Sequence, residues 1–263
     1  MSFVQRFPLI SFYLLAYGFT WLITVPLMLA KRGVIGWDLP HGLEAVAAFG
    51  PFAAAVIALG LTQGRGGIAR LGESLQRWRV APRWFAFTVL SPLAVLVAAL
   101  IISGELNAAL PTRLLEGLAY GAFFEILIIG GLAQGFGEEP GWRGFALPFI
   151  RGRYGPLLAT LALYPVWLFW HLPVFLARPE FDGAAFAGFS VGIFAAAIWC
   201  TRIYDATRSV LMVCLWHSLI NAARSIALII STSVFLVFGQ VVLAVALVTA
   251  VVWLWKRPGP YEA

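Results

Sequence analysis

The sequence predicts an all-α integral membrane protein, a bundle of about eight transmembrane helices forming a single polytopic membrane domain over residues 1–263. Three observations carry that expectation. Of the 263 residues 61% are hydrophobic and only 11% charged, well below the charge of ordinary soluble domains. Apolar runs recur at lengths near the ~20 residues that cross a bilayer as a helix. Basic residues are divided unevenly among the connecting loops. The ~10-residue alternating segments of a membrane β-barrel are absent. The 11 Trp and 21 Phe suit lipid-facing and interfacial positions.

The spans are expected at residues 8–30, 43–62, 84–103, 117–150, 155–177, 183–202, 209–230 and 233–255. The fourth stretch is too long for a straight crossing of a ~30 Å hydrocarbon core and must be tilted, broken or partly outside it. With both termini cytoplasmic, 13 of the 18 Lys and Arg residues, Arg6, Arg143 and Arg257 among them, fall in inner segments. Lys31, Arg32, Arg113 and Arg178 lie outside, and Arg224 sits within a span. The net charge of +6 then follows from topology and anionic membrane lipid, with no nucleic acid partner required. The first apolar run is too long for a signal-peptide core and ends in MLAKRG, so it reads as a retained span. Short Arg- and Gly-rich loops suggest a multi-pass protein of a prokaryotic plasma (inner) membrane. Cys200 and Cys214, the two cysteines, make no disulfide framework. In TQGRGGIARLGESLQRWRVAPRW, the helical spacing of Ile68, Leu71, Leu75 and Trp78 among arginines predicts a helix lying on the inner leaflet.

Ionisable residues within or beside spans are costly and are therefore functional candidates. They are Glu125, Glu138, Glu139, Arg143, His171, His217 and Arg224, with Asn221 as a polar neighbour. Glu139 and Arg143, four apart, share a helix face and neutralise each other. Glu138 is rotated about 100° away and lacks that partner. The competing reading is a cytoplasmic turn at Pro140–Gly141 that carries both carboxylates. His217 and Asn221 also share a face, with Arg224 near the same stripe, while His171 follows Trp167 by one turn. Either histidine alone would be as readily a helix-to-helix hydrogen-bonding residue. Glu125 and Arg224 are expected to pair in the outer half of the bundle. Measured from the inner helix ends, Glu138, His171 and His217 lie roughly 18, 24 and 12 Å deep, on three different helices. A carboxylate near neutral imidazoles can bind zinc or deprotonate a water, and imidazole or amide donors can stabilise an oxyanion. Those roles together are compatible with peptide hydrolysis by an activated water.

Glu138-Glu139-Pro140-Gly141-Trp142-Arg143-Gly144, then Trp167 with His171, then His217 with Asn221 resemble the ordered motifs E-E-x-x-x-R, F-x-x-x-H and H-x-x-x-N/D of the CPBP family. These are the type II CAAX prenyl endopeptidases and bacteriocin-processing proteins, also called Abi. The resemblance centres on a motif core at about residues 117–230 and implies an intramembrane metallo-endopeptidase. It implies that Glu138 activates the catalytic water, that His171, His217 and Asn221 line the site, and that Glu139 and Arg143 support it. It also implies a divalent metal, zinc, held by Glu138, His171 and His217, although a metal-free Glu and His water site is the other description. The implied substrate is a membrane-associated peptide or protein, prenylated in some relatives. The sequence departs from the pattern at Trp167, where the family has Phe, and a reshaped pocket wall is expected there.

Other intramembrane proteases fit less well. There is no H-E-x-x-H, and Asp38, Asp182 and Asp205 all fall in or beside loops. Ser190 in GFSVG matches G-x-S-x-G, a pattern that small residues in membrane helices often produce. A transporter using the same Glu and His residues, or a non-catalytic membrane scaffold, are the alternatives from other classes. The repeated halves of many transporters are not visible.

Overall fold

The computed structural model describes residues 2–40, 42–118, 124–178, 181–256 and 258–260, and every regular element among them is a helix. The chain begins with α1 (Phe3–Arg6), α2 (Pro8–Lys31), α3 (Leu43–Ala47), α4 (Gly50–Gln76), α5 (Pro82–Ile102) and α6 (Leu110–Gly117). A segmented helical run follows: a π-helix at Glu125–Ala133, α7 (Gln134–Gly141), a second π-helix at Trp142–Ala146, and α8 (Leu147–Arg151). The remaining helices are α9 (Pro156–Trp170), α10 (Leu172–Leu176), α11 (Gly183–Thr207), α12 (Val210–Ile230) and α13 (Thr232–Lys256). Among the described residues, six helices are long and apolar enough to cross a membrane: α2, α3–α4 as one run, α5, α11, α12 and α13.

Local chemistry sets the boundaries. Pro8, Pro82 and Pro156 open α2, α5 and α9, where the fixed φ suits a first turn and the missing N–H is no loss. Asp182 caps α11 by accepting from Ala185 N at 2.8 Å, and Ser209 caps α12 by accepting from Met212 N at 3.1 Å. α4 is broken at Gly64, whose φ of 63° falls in the region that favours glycine. The segment beyond that break is helical to Gln76, as the spacing predicts, with Leu71 buried and Ile68 exposed on it.

Two of the expected spans come out differently. The fourth, 117–150, is neither straight nor uniformly α-helical, and its residues 119–123 lie outside the described ones. Pro140 does not end the helix as the turn reading supposed. The chain continues and passes into wider π winding at Trp142, a way of absorbing a residue that has no donor and crowds the preceding turn. In the fifth, the apolar helix stops at Trp170, one residue before His171. Arg143, expected in an inner segment, is wholly buried.

The helix ends are tied into two layers. At one, Arg151 binds Asp205 at 3.1 Å and donates to the carbonyl of Gly259, while Ser209 Oγ donates to Arg77 O. At the other, Arg32 donates to the carbonyls of Leu176 and Arg178, and Arg113 binds Glu105 at 2.7 Å. That ion pair, with Ser231 and Asn107 also donating, holds the Glu105 carboxyl below its usual range. Between the layers, α12 is the most enclosed crossing helix, and it carries Met212, Cys214, Trp216 and His217 into the core. α13 is peripheral and exposes Leu247, Val248, Val251 and Leu254 along its outer side, as a lipid-facing helix does.

Candidate active site

The glycines around the paired carboxylates fix where the site lies. A Cβ on Gly135 would stand 2.5 Å from the Cys214 carbonyl oxygen of α12. One on Gly137 would stand 2.6 Å from Ala48 O, and one on Gly141 2.5 Å from Pro51 O. Backbone therefore meets backbone on two sides of α7, which is held between α12 and the start of α4. Glu138 and Glu139 are carried into the interior by this contact, at 2% and 0% exposure, so the solvated-turn reading fails.

The two carboxylates have different company. Glu139 Oε1 accepts from Arg143 Nη1 at 2.8 Å, the pair expected from their four-residue spacing. The same oxygen receives His217 Nδ1 at 2.7 Å, with the Cys200 thiol at 4.0 Å. Since its partner is a carboxylate, Nδ1 of His217 carries the proton and Nε2 is left unengaged by that bond. Glu139 Oε2 and Arg143 Nε and Nη2 are buried without a hydrogen-bond partner among the described residues. The Arg143 guanidinium instead lies 4.2 Å from the Trp167 ring centroid, a cation–π contact.

Glu138 receives no cation of this kind. Its Oε2 accepts from the Trp167 indole Nε1 at 2.7 Å and lies 3.8 Å from His171 Nε2. His171 Nδ1 donates to the Trp167 carbonyl at 2.8 Å, which turns Nε2 toward Glu138. A separation of 3.8 Å is too long for a direct hydrogen bond and suits a group bridged by a third polar atom. Trp167 is thus the hub: it holds Glu138, shields Arg143, and meets the His217 ring edge-on at 5.6 Å. The expected pocket wall is also a hydrogen-bond donor, which Phe would not be.

Of the residues expected in the site, Glu138, His171, His217, Glu139, Arg143 and Trp167 are contiguous. The depth difference expected between Glu138 and His171 does not keep them apart. His217 engages Glu139 rather than Glu138. Asn221 connects less directly, its Nδ2 donating to Gln134 Oε1 at 2.7 Å. Gln134, four residues before Glu138, was missed; its signal is a lone amide in an apolar run at helical spacing from the acid. Glu125 and Arg224 form no ion pair with each other, so that expected pairing is not found. Ser190 joins its hydroxyl to that of Tyr164 and not to an imidazole. A zinc site needs three protein donors around one point. Among the described residues no group of three His, Cys, Asp or Glu side chains could hold a metal ion, so Glu138, His171 and His217 do not fit zinc as arranged.

Fold and site together define a multi-pass helical membrane protein with a buried carboxylate–imidazole centre. Residues 121–223, which include all three motifs, match the family model of the type II CAAX prenyl endopeptidases, Rce1-like, and this bears out the CPBP resemblance. No curated protein matches the chain.

Proposed function

We propose that the protein is an intramembrane endopeptidase that hydrolyses an amide bond of a membrane-associated peptide or protein, of the CAAX or bacteriocin-processing type. The observation that carries the reading is the approach of Glu138 Oε2 to His171 Nε2, 3.8 Å apart in an enclosed site. A water between them would donate one proton to the carboxylate and the other to the imidazole lone pair, directing an oxygen lone pair at the substrate carbonyl. As the C–O bond forms, Glu138 takes the water proton. It then delivers that proton to the amide nitrogen as the C–N bond breaks. With Gln134 Oε1 accepting from Asn221, both N–H donors of Gln134 and one of Asn221 remain for the developing oxyanion. Glu139 and Arg143 would hold His217 and Trp167 in place.

The same reading takes the whole chain as one membrane domain with both termini cytoplasmic. The layer containing Arg77, Arg151 and Arg208 is the richer in basic residues, and the one containing Lys31, Arg32, Arg113 and Arg178 the poorer. Labelling of single cysteines at positions 77 and 178 in intact cells tests this, and labelling of position 77 alone by an impermeant reagent reverses the orientation. The activity is tested with purified protein in nanodiscs and prenylated and unprenylated C-terminal peptides. Cleavage is expected for the wild type and none for Glu138→Gln or His171→Ala. Wild-type cleavage by the folded Glu138→Gln protein overturns the proposal.

A further inference from the structure

The end of α9 is held from outside by a helix that contains none of the three motifs. α9 stops at Trp170, and Pro173 follows in α10 without the N–H that a continuing helix would need there. The last carbonyls of a helix have no partner within it, so donors must come from elsewhere. α2 supplies them. Tyr17 Oη donates to Val166 O at 2.6 Å, and Trp21 Nε1 donates to Trp170 O at 3.0 Å. The donors stand one turn apart on α2 and the acceptors one turn apart on α9, so the two helices run side by side in matched register. Three turns beyond Trp21, Arg32 donates to the carbonyls of Leu176 and Arg178 past the far end of α10.

The bond to Trp170 O decides where the chain turns. In an uninterrupted α-helix that carbonyl accepts from Val174 N, four residues on. Here Val174 N donates to His171 O at 3.0 Å, and the Trp21 indole occupies Trp170 O instead. Trp170 is fixed a second time, because its own indole donates to Ala16 O of α2 at 3.4 Å. Its ring stands edge-on to the His171 ring, with centroids 4.7 Å apart. His171 Nδ1 is tied to Trp167 O, one residue past the carbonyl held by Tyr17. The backbone on both sides of His171 is thus set by α2, and with it the direction of Nε2, the atom that faces Glu138.

We propose that Trp21 and Tyr17 are positioning residues for the reaction: they hold the end of α9 so that His171 Nε2 shares a water with Glu138. The inference rests on the endopeptidase reading and extends it to a helix outside the motifs. Both residues act through His171 and not on the water or the peptide. Loss of the indole N–H leaves Trp170 O free to draw Val174 N back toward a continuous helix, which rotates His171 away from the carboxylate.

The test uses purified protein in nanodiscs, the peptides of the cleavage assay, and ring-nitrogen NMR of isotope-labelled histidine. Trp21→Phe keeps an aromatic ring and removes the N–H, and Tyr17→Phe removes only the hydroxyl. Trp21→His returns a donor, since imidazole Nε2 occupies the place of indole Nε1 in a five-membered ring. Trp21→Phe is expected to lower kcat by about 10- to 100-fold, the scale of a misplaced reacting group, with KM within about twofold. Trp21→His should recover part of that loss. The His171 signals, assigned by their absence in His171→Ala, should pass from one Nδ1-protonated form in the wild type to mixed tautomers in Trp21→Phe, while those of His217 stay. Wild-type kcat in both single variants, or a kcat loss that leaves the His171 signals unmoved, overturns the positioning role and leaves the peptidase standing. If Trp21→Phe does not fold, Tyr17→Phe decides the question by the same two readouts. No cleavage by the wild type, or full cleavage by Glu138→Gln, overturns the peptidase reading. The His171 signals then still show whether α2 sets the ring, and unchanged signals in Trp21→Phe overturn that as well.

Discussion

Trp167 donates its indole N–H to Glu138 Oε2 across 2.7 Å, and its ring also covers the guanidinium of Arg143. One side chain therefore orients one carboxylate directly and shields the cation that neutralises the other. A phenyl ring at this position can stack on Arg143 but has nothing to donate to Glu138.

Trp167→Phe should accordingly leave the fold intact and loosen Glu138. The lost neutral hydrogen bond is worth about 0.5–1.5 kcal/mol. Misplacement of a reacting group costs more in rate than in stability. The expected result is a fall in kcat of about tenfold with KM little changed, read in a peptide-cleavage assay beside a melting curve. An unchanged kcat would mean that Glu138 is positioned without the indole.

The Glu139–Arg143 pair predicts a stability asymmetry between adjacent carboxylates. Removing one partner of a buried ion pair leaves the other uncompensated, at a cost of about 3–5 kcal/mol. Glu139→Gln keeps a carbonyl oxygen for His217 Nδ1 but leaves the Arg143 charge uncompensated, so it should lower the melting temperature markedly and reduce expression. Glu138→Gln keeps an acceptor for Trp167 and should melt near the wild type while losing cleavage. The double variant Glu139→Gln, Arg143→Met removes both charges and should be more stable than Glu139→Gln alone. If the double variant is the less stable of the two, the pair is not what limits the fold.

How much of this was legible beforehand depends on which interactions are local. The Glu139–Arg143 pair and the separateness of Glu138 follow from helical periodicity and were readable from the spacing. The partner of His217 was not, because it depends on how deeply α12 slides past α7, and that is set by backbone contacts at Gly135. Gln134 was hidden by its surroundings: a single amide among apolar residues carries no motif. The excessive length of the fourth span was visible, but the π winding that resolves it leaves no periodic signature in composition. Arg143 was counted with the inner segments in the charge balance, while its ion pair draws it inside.

The donor arrangement predicts how the protein behaves toward metals. His217 Nδ1 is committed to Glu139 and His171 Nδ1 to the Trp167 carbonyl, and no three-donor group forms among the described residues. Protein purified without chelator should contain well under one equivalent of zinc by elemental analysis, and cleavage should survive dialysis against a chelator. Stoichiometric zinc that disappears in Glu138→Gln would mean that the side chains rearrange around a metal, and the water-activation scheme would then need replacing.

Gly135 offers the sharpest test of how the fold delivers the site. An alanine Cβ there would come within 2.3 Å of Ser218 Oγ and 2.5 Å of the Cys214 carbonyl, closer than real contacts allow. The serine hydroxyl can rotate away, but the carbonyl belongs to the backbone of α12 and cannot. α7 and α12 must therefore separate, at a cost of about 1–3 kcal/mol for an overpacked contact. His217 Nδ1 on α12 reaches Glu139 Oε1 on α7 at 2.7 Å, so even a small shift lengthens that bond. Gly135→Ala should lower both melting temperature and kcat. The control is Gly192→Ala in α11, where a Cβ meets nothing within 4 Å and no loss is expected. Equal behaviour of the two variants would show that the close approach of α7 to α12 does not hold the site together.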